Sequence, residues 1–265
     1  MTGWLDVPRG WLDALGEIAR FGSRVAGLVY SGRVLKFFGE SLRQAGILIL
    51  GSALVIWAFV FLLGLNCGLI GAYFVRAYGV PSYAGLFSAY CDLREGLPYA
   101  FGYILSAKVG TGIVAEIGAM RISDEIDALE VMGIQPVTFL AATRLLGAWI
   151  ALPFVFLVGV GVVYFASYLA VVEQVADVSS GGYLLIFWSF QDFVDVFFSL
   201  AKGMVMATII VLVGCYYGYT ASGGPVGVGT ATAKSMVVNI IMVHIVGMLG
   251  TVMFYGSNPR APIGG

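Results

Sequence analysis

The sequence predicts an all-α membrane protein, in which an N-terminal amphipathic helix precedes five transmembrane helices and a short acidic helix separates the second from the third. Of the 265 residues, 60% are hydrophobic and 11% are charged, whereas soluble domains carry about 25% charged residues. Residues 45–75 contain no charged side chain, and one span requires roughly 20 apolar residues. The 37 glycines suit helices that pack closely in lipid.

Residues 1–43 are predicted to form the interfacial region. Trp4, Trp11, Ile18 and Val25 recur every seven residues, with charged side chains on the opposite side. No uninterrupted apolar run is long enough to cross a bilayer, so a helix lying in the membrane interface fits better. No cleavable signal peptide is recognisable. The basic residues that precede the first span place the N-terminus in the cytoplasm; they include Arg20, Arg24, Arg33, Lys36 and Arg43.

The membrane-embedded region is predicted to cover residues 44–257. Spans are expected near residues 45–65, 97–120, 137–170, 193–215 and 234–255. After the first span, the segment with Asn66, Gly68 and Gly71 is expected to be partly buried or re-entrant. Residues 76–96 are expected to form an extracytoplasmic connection, and residues 179–192 a loop with an aromatic interfacial belt. Five spans place the tail, residues 258–265, outside the cell.

The segment 116–133 interrupts this apolar chain with five acids and one arginine. Ser123 is expected to cap a short helix, with Asp124, Glu125 and Asp127 in its first turns, where the helix dipole favours acids. Gly133 is expected to take the left-handed conformation at the C-terminal end, and Pro136 prevents continuation. Apolar side chains recur at helical spacing on the other side. A solvated connecting helix without further function is the alternative interpretation.

The second span carries two charges, Lys108 and Glu116, that are expensive at membrane depth. They share one face with Gly112, and a stripe of small residues accompanies them: Ala107, Thr111, Ala115 and Ala119. Such a stripe allows another helix to approach closely. The two charges are about 12 Å apart along the helix axis, so each needs another partner. A substrate path and a structural ion-pair network are both open interpretations.

Other charged and reactive groups indicate packing rather than chemistry. For Arg144 and Lys202 we favour structural ion pairs or side chains that extend to the interface. His244, the only histidine, is expected to form a hydrogen bond between helices, with a proton relay as the alternative. The three cysteines lack metal-ligand spacing and are expected to pack. No catalytic set and no metal site are recognisable.

The glycine-rich stretch 223–229 superficially resembles a phosphate-binding loop. Thr230 occupies the position at which that motif requires lysine, so the stretch is expected to be a tight cytoplasmic turn without bound ATP. The net charge of −1 gives no indication of nucleic-acid binding.

Two long motifs carry a family resemblance. Residues 115–133, AEIGAMRISDEIDALEVMG, and residues 215–229, CYYGYTASGGPVGVG, closely resemble the two signatures of the MlaE/YrbE permease family. These permeases are membrane subunits of lipid-transporting ABC systems that work with Mce-domain proteins. The chain is especially similar to the B-type permease of actinobacterial Mce complexes, in which two paralogous permeases pair. The resemblance spans residues 41–257.

This resemblance implies a function and a set of partners. The chain would be a plasma-membrane permease that pairs with an A-type YrbE paralogue on two ATPase subunits, which alone bind ATP and Mg. Mce-domain proteins would form the extracytoplasmic conduit, and lipid import, of fatty acids or related lipids, is the expected direction. The acidic helix would be the coupling helix in an ATPase groove: Ile122, Ser123, Asp124, Glu125, Ile126, Asp127, Leu129 and Glu130. The lipid path or dimer seam would comprise Lys108, Thr111, Gly112, Ala115, Glu116 and Ala119.

Within this interpretation, the acids of the coupling helix meet basic residues of the ATPase, and its apolar residues Ile122, Ile126 and Leu129 pack into the groove. Two other classes remain as alternatives. A membrane-embedded lipid-modifying enzyme is disfavoured by the missing nucleophile–base pair. A scaffold that anchors Mce proteins without transport would bind those proteins but no ATPase. Fatty acids, mycolic acids and sterols all suit an apolar path, so the sequence leaves the lipid open.

Overall fold

Helices dominate the computed structural model, which describes residues 3–256, with side chains from residue 16 onward; this part contains no strand. The α-helices are α1 (Gly3–Tyr30), α2 (Phe38–Ala77), α3 (Ala84–Tyr90), α4 (Leu97–Ile104), α5 (Thr111–Ile122), α6 (Glu125–Val131), α7 (Thr143–Tyr168), α8 (Ser180–Ser189), α9 (Phe193–Tyr219) and α10 (Gly224–Tyr255). The predicted tail, residues 258–265, lies outside the described residues, as do the side chains of Trp4 and Trp11.

Wider π-helical turns extend several of these helices. They comprise Cys91–Gly96, Leu105–Gly110, Val137–Ala142 and Leu169–Val175, and short 3₁₀ turns cover Arg33–Phe37 and Pro81–Tyr83. As a result, five helical stretches of the described chain are long and apolar enough to cross a membrane: Arg33–Ala77, Pro81–Ile122, Val137–Val175, Phe193–Tyr219 and Gly224–Tyr255. The predicted all-α fold with five spans is therefore confirmed at this level.

The described residues form two compact units. One unit takes its residues from Met1–Leu48, Ser106–Ile150 and Thr208–Asn239, and the other from Ile49–Leu105, Ala151–Ala207 and Ile240–Gly265. In the first unit, α1 packs on α9, where the ring of Phe21 lies 5.9 Å from that of Tyr216. The Tyr216 hydroxyl also donates to Glu17, at 2.5 Å. The amphipathic helix is thus helical, while its place in the membrane interface stays a prediction.

Of the two alternatives expected for the segment after the first span, the re-entrant one is wrong, because α2 continues through it to Ala77. The partly buried one is confirmed, since Gly68 and Gly71 are buried and Asn66 is exposed. Its glycines serve close packing instead of a chain reversal. A Cβ atom at Gly64 would lie 2.5 Å from the carbonyl oxygen of Val163, and one at Gly68 would lie 2.9 Å from that of Ser167. These glycines allow the backbones of α2 and α7 to approach each other.

Two further segments expected to be irregular are largely helical. Within residues 76–96, the chain turns at residues 78–80 and becomes helical again at Pro81, so that three charged side chains lie inside a helix: Asp92, Arg94 and Glu95. Residues 180–189, expected as a loop, form α8, whose N-cap Ser179 accepts a hydrogen bond from the Gly182 amide at 3.2 Å. The charges had suggested a solvated connection, but each finds a partner within the protein.

The glycine-rich turn is shorter than expected. Gly223 and Gly224 take positive φ angles of 87° and 70°, a conformation that glycine adopts at no steric cost. The next residues already belong to α10, which starts at Gly224. The fifth span therefore begins ten residues before the expected position.

The prediction that all three cysteines serve packing is wrong for two of them. Cys67 in α2 and Cys91 form a disulfide that closes a sequence separation of 24 residues. Only Cys215, which is buried and free, has the expected role. Cys67 and Cys91 are far apart in sequence and follow no recognised spacing, so the sequence offered no basis for pairing them.

Candidate functional site

The acidic helix α6 begins at a sharp turn rather than at a serine cap. Asp124 occupies the N-cap position with a left-handed backbone, φ 59°, a conformation that aspartate tolerates better than most residues. Ser123 instead ends α5, and its hydroxyl lies 3.0 Å from both the Ala119 carbonyl oxygen and a carboxylate oxygen of Glu125. The expected Ser123 N-cap is therefore wrong, because this residue is the C-cap of the preceding helix α5.

The other end of α6 is closed by a Schellman motif. Gly133 has φ 75°, as the sequence predicted. Its amide donates to the Glu130 carbonyl, at 2.9 Å, and the Ile134 amide donates to the Leu129 carbonyl, at 3.0 Å. These two bonds satisfy carbonyls that a helix end leaves open. Helix α6 is consequently a short element with defined turns at both ends.

The surface of α6 is acidic, with a small apolar edge. Its four acidic residues are exposed: Asp124, Glu125, Asp127 and Glu130. The nearby cation Arg121 pairs with Asp127 at 2.7 Å. Exposed apolar side chains follow at Val131, 89% exposed, and Met132, 65% exposed. This combination can meet a partner surface that offers both cations and an apolar contact.

One of the apolar residues assigned to the partner groove is buried within the chain. Ile126 has no exposed surface, so its expected contact with a partner is wrong. Ile122 remains 38% exposed, and Leu129 is half-buried. Val131 and Met132, which sequence periodicity did not single out, offer more apolar surface than either.

The small-residue stripe of the second span lies on the surface of the chain. Ala107, Gly112, Ala115 and Ala119 are exposed, and Thr111 is half-buried. A Cβ atom at Gly112 would meet nothing within 4 Å. The predicted face is thus free to receive another helix, whereas its role as seam or lipid path stays a prediction.

The two charges on this face have different surroundings. Glu116 pairs with Arg144 at 2.7 Å, and 54% of the Glu116 side chain is exposed compared with 5% of the Arg144 side chain. Arg144 also donates to the Leu140 carbonyl, at 2.8 Å. The arginine therefore joins a structural ion pair, as favoured, and does not extend to the interface. Lys108 is exposed and takes part in none of the ion pairs found among the described residues.

A buried polar network in the second unit was missed at the sequence level. Asp195, Ser199 and Lys202 lie on one face of α9 and bind consecutive residues of the second span. Asp195 pairs with Arg94 at 2.7 Å, and the Ser199 hydroxyl donates to the Leu93 carbonyl at 2.6 Å. The spacing of three and four residues was a usable signal, but residues 92–95 had been assigned to a connection.

Lys202 is the centre of this network. Its side chain is only 1% exposed, so the idea that it extends to the interface is wrong. The ammonium donates to the Arg94 carbonyl at 2.6 Å, to Glu95 at 3.2 Å and to the Thr251 hydroxyl at 3.0 Å. Three acceptors, one of which is the negatively charged carboxylate of Glu95, compensate the buried cation.

A polar and aromatic patch, formed by Glu95, Tyr99, Tyr103, His244 and Thr251, adjoins this network. The Tyr103 hydroxyl lies 3.0 Å from His244 Nε2, and His244 Nδ1 lies 2.9 Å from the Ile240 carbonyl oxygen. Both ring nitrogens of His244 therefore lie within hydrogen-bond distance of an oxygen. His244 thus makes the expected bond between helices, and Glu95 keeps 42% of its side chain exposed.

Comparisons with known proteins identify the family of this chain. The family model described as Permease MlaE matches residues 41–253. The chain belongs to the MlaE permease family. The matched region contains both the α5–α6 segment and the polar network of the second unit.

Curated relatives of this MlaE-family chain are named as permeases in bacteria. A probable ABC transporter permease protein of Rickettsia prowazekii is 33% identical over 162 residues, which are 61% of this chain and 62% of the relative. One from Synechocystis is 29% identical over 186 residues, 69% of this chain and 70% of the relative. The chloroplastic protein TRIGALACTOSYLDIACYLGLYCEROL 1 of Arabidopsis thaliana is 28% identical over 175 residues, 62% of this chain and 47% of the relative.

Proposed function

We propose that this chain is the membrane-spanning subunit of an ABC transporter that moves lipids across the cell envelope. Membership of the MlaE permease family supports this proposal, as does the name ABC transporter permease given to several relatives. In the proposed assembly, ATP and Mg bind to partner ATPase subunits. A paralogous A-type YrbE permease and Mce-domain proteins complete the machine.

Helix α6 carries the proposal, as the element through which an ATPase acts on the permease. It connects two membrane-spanning stretches, Pro81–Ile122 and Val137–Val175. The left-handed Asp124 and the Schellman turn at Gly133 define its two ends. Because both connections have a defined conformation, a displacement of α6 would be transmitted to both spans. The exposed acids would bind cations of the ATPase, and Val131 with Met132 would supply the apolar contact.

The disulfide supports the orientation that this role requires. Disulfides form in oxidising compartments and are rare in the cytosol. The bond between Cys67 and Cys91 joins the C-terminal part of α2 to the segment that follows the next turn. With that turn on the extracytoplasmic side, α6 at the opposite end of the second span faces the cytoplasm, where ATP is available. Basic residues before the first span favour the same orientation.

The exposed face of α5 suits contact with a second permease. Small side chains at Gly112, Ala115 and Ala119 would let a partner helix approach closely. Glu116 is held by Arg144 at the edge of this face, and the exposed Lys108 would contact either the partner or lipid headgroups. We assign this face to the dimer seam, along which a lipid would be admitted when the ATPases change state.

Fatty acids or related lipids are the proposed substrate, taken up into the cell. The apolar lining of the spans and the resemblance to actinobacterial Mce permeases support this choice. The Arabidopsis relative is named after a galactolipid. In the second unit, an apolar groove beside Lys202, bordered by Val205, Leu249 and Met253, offers a surface that an acyl chain can contact.

Charge reversal on α6 tests the proposal. We expect Glu125→Lys combined with Glu130→Lys to abolish ATP-dependent lipid transfer in reconstituted vesicles, because both residues are exposed and their change should leave the permease folded. Glu173→Lys, at another exposed acid in Leu169–Val175, is the matched control and should keep full transfer. Normal transfer by the α6 variant would refute the coupling role. A complex that contains Mce proteins but never an ATPase would indicate the scaffold instead.

A further inference from the structure

A buried acid in the second unit lacks a counter-charge. Asp92 has no exposed surface and lies in the π-helical segment Cys91–Gly96. Among the described residues, its one hydrogen-bond partner is the Ser167 hydroxyl of α7, while its Oδ1 atom has none. Arg94, two positions further along, pairs with Asp195 instead. An ionised carboxylate enclosed in this way would be expensive.

The hydroxyl of Ser167 is surrounded by more acceptors than it can serve. Besides Asp92, the carbonyl oxygens of Val163 and Gly64 lie 3.0 Å and 3.2 Å from its oxygen. A hydroxyl has one proton to donate and can accept through its lone pairs. If Asp92 is ionised, the Ser167 hydroxyl donates its hydrogen bond to the carboxylate and no longer donates to either carbonyl oxygen. If Asp92 is protonated, its O–H donates to Ser167, and Ser167 donates to a carbonyl.

We propose that Asp92 is held as a neutral carboxylic acid and that its proton closes a clasp between the second span, α7 and α2. The chain of donors runs from Asp92 through Ser167 to the carbonyl oxygen of Gly64 in α2; the carbonyl oxygen of Val163, in the same helix as Ser167, competes for that proton. Gly64 is also a point of close approach between α2 and α7, where a Cβ atom would not fit, so the clasp lies where these helices depend on tight packing. Loss of the proton at alkaline pH turns the Ser167 hydroxyl to the carboxylate, so its bond to Gly64 is lost and the contact of α2 with α7 is loosened.

The other groups that face Asp92 do not supply a positive charge. Tyr164 of α7 and Tyr183 of α8 are close enough to interact with it electrostatically, and the Tyr164 hydroxyl donates to Gln191 at 3.0 Å. From α2, the sulfur of Cys67 lies within 4.8 Å of a carboxylate oxygen of Asp92, and it is bound in the disulfide with Cys91. The neutral form of the acid is therefore the one that these surroundings accept.

Infrared spectroscopy of the purified permease in lipid nanodiscs tests the protonation directly. At neutral pH the wild type should show the carbonyl stretch of a protonated, hydrogen-bonded carboxylic acid, and Asp92→Asn should lack it while keeping the disulfide. The asparagine amide can still donate to Ser167, so the melting temperature of the wild type should fall by several degrees relative to Asp92→Asn as the pH is raised. The proposal would be overturned if Asp92→Asn kept the infrared band of the wild type, or if the melting temperatures of the two proteins depended on pH in the same way.

Ser167→Ala provides a second test that does not depend on the folding of Asp92→Asn. This variant keeps the acid but removes its acceptor, so the band should shift to the frequency of a carboxylic acid without a hydrogen bond. A band at the wild-type frequency in folded Ser167→Ala would show that Asp92 does not donate to Ser167, and the clasp would be refuted. Both tests concern the membrane protein alone and do not require the proposed transport activity.

Discussion

The ammonium nitrogen of Lys202 lies 3.2 Å from a carboxylate oxygen of Glu95, and the lysine side chain is 1% exposed while that of Glu95 is 42% exposed. Removal of Glu95 would therefore leave a positive charge that water cannot reach, whereas removal of Lys202 would leave a negative charge that is partly in contact with water. The pair joins α9 to the second span within one unit and is shared with Thr251 of α10. Three of the five spanning stretches meet at this contact.

We expect Glu95→Gln to be more destabilising than Lys202→Met. The first variant leaves an enclosed ammonium without its counter-charge, which costs about 3–5 kcal/mol in buried pairs; the second leaves a carboxylate that is partly exposed. The double variant should be more stable than Glu95→Gln alone, because no uncompensated charge remains. A double-mutant cycle of unfolding free energies in detergent measures this coupling. A double variant no more stable than Glu95→Gln would contradict the ion pair.

The disulfide predicts a specific thiol count. Denatured, unreduced protein should react with one equivalent of a thiol reagent, at Cys215, and reduced protein with three, since the chain contains three cysteines. Cys67→Ser and Cys91→Ser should each lower the unfolding free energy by about 3 kcal/mol, as expected for a loop of this length. The double variant should add nothing further. Three reactive thiols in the unreduced wild type would exclude the bond.

A bulky residue on the exposed face of α5 should separate the permease from its proposed second permease. Ala115→Trp adds volume where the chain itself leaves space, so the monomer should fold while close helix approach is prevented. Copurification of two differently tagged permeases measures the effect. Leu54→Trp, at a position 76% exposed on a different helix, is the control and should pair normally. Equal pairing by both variants would remove α5 from the seam.

The helical periodicity and composition were sufficient for the fold class and for the acidic helix α6. The charge-free stretch 45–75 and the later apolar runs predicted five spans because bilayer thickness sets their length. The glycine at position 133 predicted the end of α6, since a left-handed residue is what a Schellman turn needs. These rules concern residues that are close together in the sequence, so they can be applied to a single sequence without knowledge of tertiary contacts.

The features that the sequence did not reveal depend on tertiary partners. Charges at residues 92–95 look like a solvated connection until Asp195 and Lys202, about a hundred residues later, are seen to pair with them. The same holds for the disulfide of Cys67 and for the burial of Ile126. The apolar spacing predicted which side of α6 is apolar, but it did not predict that Ile126 is buried within the chain. It also did not predict that Val131 and Met132 are the apolar residues that remain exposed.

Site-specific photo-crosslinking at Val131 tests most directly whether α6 is the contact through which an ATPase acts on this permease. Val131 is 89% exposed and ends the acidic helix, so a photoreactive residue there should capture an ATPase subunit in intact cells. The same residue at Glu173 should not capture it. If position 131 captures no nucleotide-hydrolysing protein, or position 173 does so equally well, the proposed coupling through α6 is contradicted.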